Sequence, residues 1–148
     1  ALGDSTRIAS LLNNIGMVYE SQGDYPRGLD YYTRCLRIRQ AMGDWAEGAV
    51  TLNTIGVLYA KQRDYERALA NFQESLHLRD SIGDQGGVAA CHINIGQVYE
   101  VQGNLASAIL EYEKTLKIGN EINEPRYIAA ALSGLGAYML IKATMQRH

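Results

Sequence analysis

Gly16, Gly56, Gly96 and Gly136 stand 40 residues apart each time, with no insertion anywhere to break the step. Self-similarity at such a period points to an array of small supersecondary units stacked in series, and it constrains the fold more than any other feature of the chain. Further columns keep the same register: Ala9, Ala49, Ala89 and Ala129; Ile15, Ile55, Ile95 and Leu135; Tyr19, Tyr59 and Tyr99; Leu36, Leu76 and Leu116. Leu2-Gly3-Asp4, Met42-Gly43-Asp44 and Ile82-Gly83-Asp84 punctuate the periods, and the fourth copy reads Ile122-Asn123-Glu124.

Inside each period the apolar residues keep helical spacing. Leu12, Ile15, Gly16 and Tyr19 follow the i, i+3, i+4, i+7 pattern of one helix face, and Gly28, Tyr32, Cys35 and Leu36 repeat it in a second run. The runs are split by Gly23-Asp24, Arg63-Asp64 and Gly103-Asn104, where Gly suits a left-handed helix end and Asp or Asn caps the next helix. Pro26 suits a first turn, and Asp44 with Glu47 resembles a capping box. Each period is therefore a helical hairpin. The pattern places A helices at about 4–22, 44–62, 84–102 and 125–143, and B helices at about 25–42, 65–82 and 105–122. The expected fold is all-α: repeats at about 4–43, 44–83 and 84–123, then a partial fourth at 124–148, in one domain over 1–148.

A glycine inside a helix costs roughly 0.5–1 kcal/mol against alanine, so four in one column need a compensating contact. Gly28, Ala68 and Ala108 supply a small partner on the B helix. Small against small lets the two helices of a hairpin approach closely, with Tyr19 and Tyr32 and their equivalents filling the flanks. One hairpin cannot bury both its apolar faces, so hairpins stack.

These residues resemble the tetratricopeptide repeat. Leu12, Ile15, Gly16, Tyr19, Gly28, Tyr32 and Cys35 match that family's large, leucine, glycine, tyrosine, small, aromatic and small positions. Leu52, Ile55, Gly56, Tyr59, Ala68, Phe72 and Ser75 match again, as do His92, Ile95, Gly96, Tyr99, Ala108, Tyr112 and Thr115. The period is longer than the family's common one of about 34. It resembles the longer-helix subclass of kinesin light chains, Leu-Gly-Asn-repeat adaptors and bacterial regulatory proteins. The chain departs from the pattern at Gly28, Arg63 and Met139. The resemblance implies a right-handed αα superhelical solenoid of three hairpins and a terminal helix. It also implies a concave groove, lined by the A helices, that holds an extended or helical segment of a protein or peptide partner.

The A-helix face turned away from the hairpin core carries Ser10, Asn13, Asn14, Met17 and Glu20, then Val50, Asn53, Thr54, Val57 and Lys61, then Ile93, Asn94, Gln97 and Glu100. It is too polar for a core and too uncharged for a solvated surface. Asn and Gln each offer a donor and an acceptor, so they suit a partner's backbone amides whatever its side chains are, although some of them would equally well bond neighbouring helices. With no Lys or Arg in columns 10 and 14, a clamp for a C-terminal carboxylate is not expected. The outer B face, with Arg27, Asp30, Arg34, Arg37, Arg67, Glu74, His77, Lys114 and Lys117, has the composition of a solvated surface.

Composition narrows the alternatives. A net charge of -2 over 148 residues gives no basic stripe for nucleic acid or an anionic membrane. The apolar run from Tyr127 to Ile141 is shorter than the roughly 18 to 20 residues a bilayer span needs, and is expected to be a buried helix. Cys35 and Cys91 make no metal or disulfide spacing, which fits a cytoplasmic protein, and no secretory leader opens the chain. The nearest thing to a catalytic or metal group is Cys91-His92 with His77. Yet His92 sits in the column of Leu12 and Leu52, where it is expected to pack, and His77 in that of Arg37 and Lys117. No cofactor, metal or enzymatic activity is expected.

Leu2-Gly3-Asp4 occupies the columns where a preceding B helix would finish. Leu132, Leu135, Gly136 and Met139 point toward a B helix that Leu140 to His148 cannot build. A segment of a longer array is expected, with the uncovered face of the last helix a candidate for self-association. The function expected first is a non-catalytic interaction scaffold. The alternative is a regulatory or sensory segment attached to a kinase, cyclase or transcription regulator.

Overall fold

The structure, a computed structural model, describes residues 2–147. Seven helices follow in order: α1 (Leu2–Ser21), α2 (Tyr25–Ala41), α3 (Trp45–Lys61), α4 (Tyr65–Ser81), α5 (Gln85–Val101), α6 (Leu105–Glu121) and α7 (Pro125–Gln146). Among the described residues there is no strand. The all-α class and the A-B alternation expected from the repeat are what the chain adopts.

Every junction is made the same way. The backbone N–H of Asp24 bonds back to the Tyr19 carbonyl at 2.9 Å, and Asp44, Asp64, Asp84, Asn104 and Glu124 make the equivalent bonds at 2.8–2.9 Å. This is the bond that closes a helix with a left-handed residue one position earlier. That residue is Gly23, Gly43, Gly83 or Gly103 at four junctions, but Arg63 at φ 63° and Asn123 at φ 55° at the other two. The same Asp or Asn then starts the next helix: Asp24 accepts from Arg27 N, Asp44 from Glu47 N, Asp64 from Arg67 N, Asp84 from Gly87 N and Asn104 from Ser107 N. Glu124 makes no such bond, and Pro125 begins α7 instead.

The chain forms two compact units, residues 1–78 and 79–148. In the first, α2 packs between α1 and α3. Tyr32, Ile55 and Leu58 are buried together, with Tyr25, Leu29, Leu36 and Tyr59 around them. Tyr19 stacks on Tyr31 with ring centres 5.5 Å apart, α4 closes on α3 through Phe72, and Ser75 Oγ donates to the Ala49 carbonyl at 2.7 Å. In the second unit α6 packs between α5 and α7, with Tyr112 buried at its centre.

The glycine column does more than allow two small residues to meet. A Cβ on Gly16 would lie 2.7 Å from Tyr32 Cε1, and one on Gly56 or Gly96 would lie 2.6 Å from Phe72 Cε1 or 2.9 Å from Tyr112 Cε1. Gly16 and Gly28 also oppose each other, since a Cβ on Gly28 would lie 3.2 Å from the Gly16 carbonyl oxygen. The aromatic of the B helix thus sits on the glycine instead of beside it, because only a residue without a side chain leaves room for a ring there.

Three expectations are corrected. Helix α1 starts at Leu2, ahead of the expected start at about residue 4, with Asp4 inside its first turn. The residues after Leu140 continue α7 to Gln146, past the expected end at about 143. Consequently α7 is longer than the apolar run suggested, and by length and composition alone it is the one described helix long and apolar enough to cross a membrane. Nor is it a buried helix. Its inner side packs on α6 through Ala131, while Leu132, Met139 and Leu140 are exposed and a Cβ on Gly136 would meet nothing within 4 Å.

Candidate functional site

In the first unit the A face is formed by α1 and α3 side by side, where Lys61 Nζ lies 3.2 Å from Glu20 Oε1. Ser10, Asn14, Met17, Val50 and Lys61 are exposed, while Asn13, Glu20, Asn53, Thr54 and Val57 are half-buried. In the second unit α5 supplies Gln97, exposed, with Ile93, Asn94 and Glu100 half-buried. None of the fourteen candidate residues is buried, so all of them reach the surface of their own unit. The outer B-helix residues from Arg27 to Lys117 are likewise exposed.

Polar groups on the A face are partly spent on the fold. Glu20 Oε2 accepts the Tyr32 hydroxyl at 2.8 Å while its other oxygen holds Lys61. Glu100 accepts the Tyr112 hydroxyl at 2.8 Å in the same way. Burial pushes both phenols well above their ordinary range, and the adjacent carboxylate pushes them further, so both remain donors. Glu20 and Glu100 are thus clamps between the helices of a hairpin as well as surface groups. Asn13 Nδ2 lies 3.6 Å from Met17 Sδ, and Thr54 Oγ1 donates to the Val50 carbonyl at 3.1 Å.

Column 14 changes character in the last helix. A Cβ on Gly134 would strike the Tyr112 ring at 2.6 Å, so Tyr112 is held between Gly96 on α5 and Gly134 on α7. Gly134 is a packing position there and not part of an open face.

Outside this face, His92 departs from the packing role its column implied. Its Nδ1 lies 2.6 Å from Glu111 Oε2, and Lys114 Nζ lies 3.3 Å from Glu111 Oε1. Where the first two copies have Tyr31 and Asn71, the third has Glu111, which gives a histidine a reason to replace leucine. Burial raises the Glu111 carboxyl, but the hydrogen bond and charge of His92 and the charge of Lys114 outweigh it and leave the group below the usual carboxylate range. The Cys35 thiol is pushed up by burial, against the opposing pull of Arg39. Both cysteines are buried, and neither is in a disulfide. Among the described residues no group of three or more His, Cys, Asp or Glu could hold a metal ion.

Hairpins in a 40-residue register, each with a glycine under an aromatic ring, define a helical-repeat protein. The tetratricopeptide repeat family matches residues 7–81 and again residues 49–121, and the chain belongs to that family. Among the solved structures that share its fold are the following two. BtubC (BKLC) from P. vanneervenii is 18% identical with a TM-score of 0.74 over 97% of this chain. The present chain spans 62% of BtubC's length. The N-terminal domain of stress-induced protein-1 (STI-1) from C. elegans is 12% identical with a TM-score of 0.68, over 88% of this chain and 96% of that one. No curated protein matches the sequence. Membership of the family makes the chain, in general terms, a protein-interaction scaffold.

Proposed function

We propose that the A-helix face binds an extended or helical segment of a protein partner and performs no catalysis. One observation carries this reading. Within the first unit, Met17 and Val50 stay exposed on a surface that also bears Asn13, Asn14, Asn53 and Thr54, so apolar contact and amide-type hydrogen bonding lie together without the charge of an ordinary solvated face. Apolar side chains supply affinity, and the amides set the direction of the bound backbone. In the second unit Ile93, Asn94 and Gln97 offer the same chemistry. The long-helix subclass and a cytoplasmic location belong to the same proposal, the latter supported by two buried cysteines that form no disulfide.

The test is affinity capture with the wild-type chain and with a Met17→Asp/Val50→Asp variant, followed by mass spectrometry. Both positions are exposed, so the far-ultraviolet circular dichroism should not change. A set of proteins held by the wild type and lost from the variant is expected; identical sets would contradict the assignment.

The exposed face of α7, with Leu132, Met139 and Leu140, is further proposed to pair with a second copy. Light scattering over a concentration series should show association that Met139→Asp abolishes, and a strict monomer at high concentration would remove this part of the proposal.

A further inference from the structure

The last turn of α2 lays an arginine against α3. Only 12% of the Arg39 side chain is exposed, and its Nη1 donates to Thr51 Oγ1 at 2.6 Å. A guanidinium carries five N–H groups, and burying a charge is costly unless it is paired. The carboxylate that faces it pairs poorly: Glu47 Oε2 stands 3.7 Å from Arg39 Nη2, past hydrogen-bonding reach, on a side chain that is 53% exposed. Beside the guanidinium lies a cavity of about 310 Å³, walled by Ala9 and Ser10 of α1, Arg39 and Met42 at the end of α2, and Asp44 and Glu47 at the head of α3. A largely buried cation with donors to spare thus borders open space. The next copy shows that an arginine in this column does not depend on a carboxylate in the column of Glu47. There Gly87 replaces Glu47, yet Arg79 is 8% exposed, its Nη1 donates to the Gly87 carbonyl at 3.1 Å, and its Nε is buried without a partner. A Cβ on Gly87 would lie 2.5 Å from Arg79 Cδ, so the glycine makes room for the arginine. In both copies the cation is left short of acceptors.

We propose that the cavity beside Arg39 binds a carboxylate, held by the guanidinium through the N–H groups that Glu47 leaves unused. The cation comes from a B helix, so the site is separate from any charge in columns 10 and 14 of the A face. A carboxylate is planar and singly charged. It matches the guanidinium fork, and Asp44 and Glu47 repel it less than they would a phosphate. Asp44 is already partly offset, because its Oδ1 accepts from Glu47 N at the positive end of α3. Glu47 is the internal competitor, and its exposed side chain turns to solvent when the ligand enters. Ala9 and Met42 supply apolar wall for the methylenes of the acid. The carboxylate belongs to a free small acid or to an acidic side chain of a bound polypeptide. The inference does not rest on the A-face reading, because a free acid fills the site with no partner present.

The probe is sodium propionate, titrated into the isotope-labelled intact chain while sodium chloride holds the ionic strength constant, with the Arg39 Nε–H and Ser10 amide signals followed by NMR. A saturable shift with a Kd of about 1–10 mM is expected. It should be lost in Arg39→Gln and tightened about threefold or more in Glu47→Gln, which removes the competitor and its repulsion. Circular dichroism checks the fold of both variants, and should Arg39→Gln unfold, the Glu47→Gln titration and the chloride control decide the matter. A response no larger than that to chloride, a response retained by Arg39→Gln, or weaker binding to Glu47→Gln overturns the proposal. Glutamate blocked as its N-acetyl N-methylamide is titrated alongside. Tighter binding than propionate assigns the site to an acidic side chain of a polypeptide, and equal or weaker binding assigns it to a free acid.

Discussion

Gly56 and Gly136 occupy the same column of the repeat, yet a methyl group at Gly56 would strike Phe72 at 2.6 Å while one at Gly136 would meet nothing within 4 Å. The column defines what a position is able to pack against; the helix laid across it decides whether that capacity is used. The same lesson holds on the other side of the hairpin, where Leu58 is fully buried beneath α2 and Val18, one period earlier, is exposed. A repeat motif thus encodes interfaces, and burial follows only where both sides are present.

The strongest way to press on the used column is Gly96→Val. Tyr112 is held on one side by Gly96 and on the other by Gly134, so its ring has no direction in which to yield. A loss of about 2–3 kcal/mol in urea denaturation is expected. A loss under half of that would mean the ring can move.

Comparing the hairpins with each other sharpens the point. Tyr32 pairs with Glu20 and Tyr112 with Glu100, whereas the middle hairpin has Phe72 and Ala60 in those columns, so hydroxyl and carboxylate come and go together. Tyr112→Phe should cost about 1–2 kcal/mol, the worth of a hydrogen bond to a charged group. Adding Ala60→Glu to Phe72→Tyr should recover stability relative to Phe72→Tyr alone. If the double variant is no better than the single one, the pair is not acting as a unit.

A smaller effect comes from the junctions. Arg63 holds the left-handed conformation that Gly23 and Gly103 hold in the neighbouring copies. Arg63→Gly should therefore raise stability by about 1 kcal/mol, read as a higher melting temperature. A lower one would show that the Arg63 side chain has a contact worth more than its backbone strain.

The smallest expected effect is a pH dependence confined to the third hairpin. The Glu111 carboxyl is held below its ordinary value in the folded chain, so its contribution is complete above the unfolded value of roughly 4.3 and fades as pH falls through the lower, folded one. Stability of the wild type should fall more steeply than that of Glu111→Gln as pH drops below about 5. Parallel curves would leave the His92–Glu111–Lys114 cluster without an electrostatic role.

Much of this was legible because one period carries its own controls. With several copies in register, Gly23-Asp24, Arg63-Asp64 and Gly103-Asn104 marked α2, α4 and α6 at their starts; the glycine column marked a close approach of the B helix, but as small against small, with the ring expected beside the glycine and not upon it. The end of α7 was misjudged because the earlier copies turn at the columns of residues 143 and 144, whereas this copy has Ala143-Thr144 there in place of Gly-Asp, Arg-Asp or Gly-Asn and the helix runs on to Gln146. Glu20 and Glu100 were legible as surface residues but not as clamps, although the matched changes from Tyr32 and Glu20 to Phe72 and Ala60 held the signal. The A face was legible only as positions outside the buried core, and Asn13, Glu20, Asn53 and Thr54 among them are half-buried.

The central claim is that the glycine column exists for the ring packed upon it. Its most direct test is the paired measurement of Gly56→Ala and Gly136→Ala by equilibrium denaturation. At Gly56 the methyl group meets a buried ring and stability should fall by about 1 kcal/mol or more, whereas at Gly136 it meets solvent and helix propensity alone should raise stability by about 0.5–1 kcal/mol. Changes of the same sign at both positions would contradict the account.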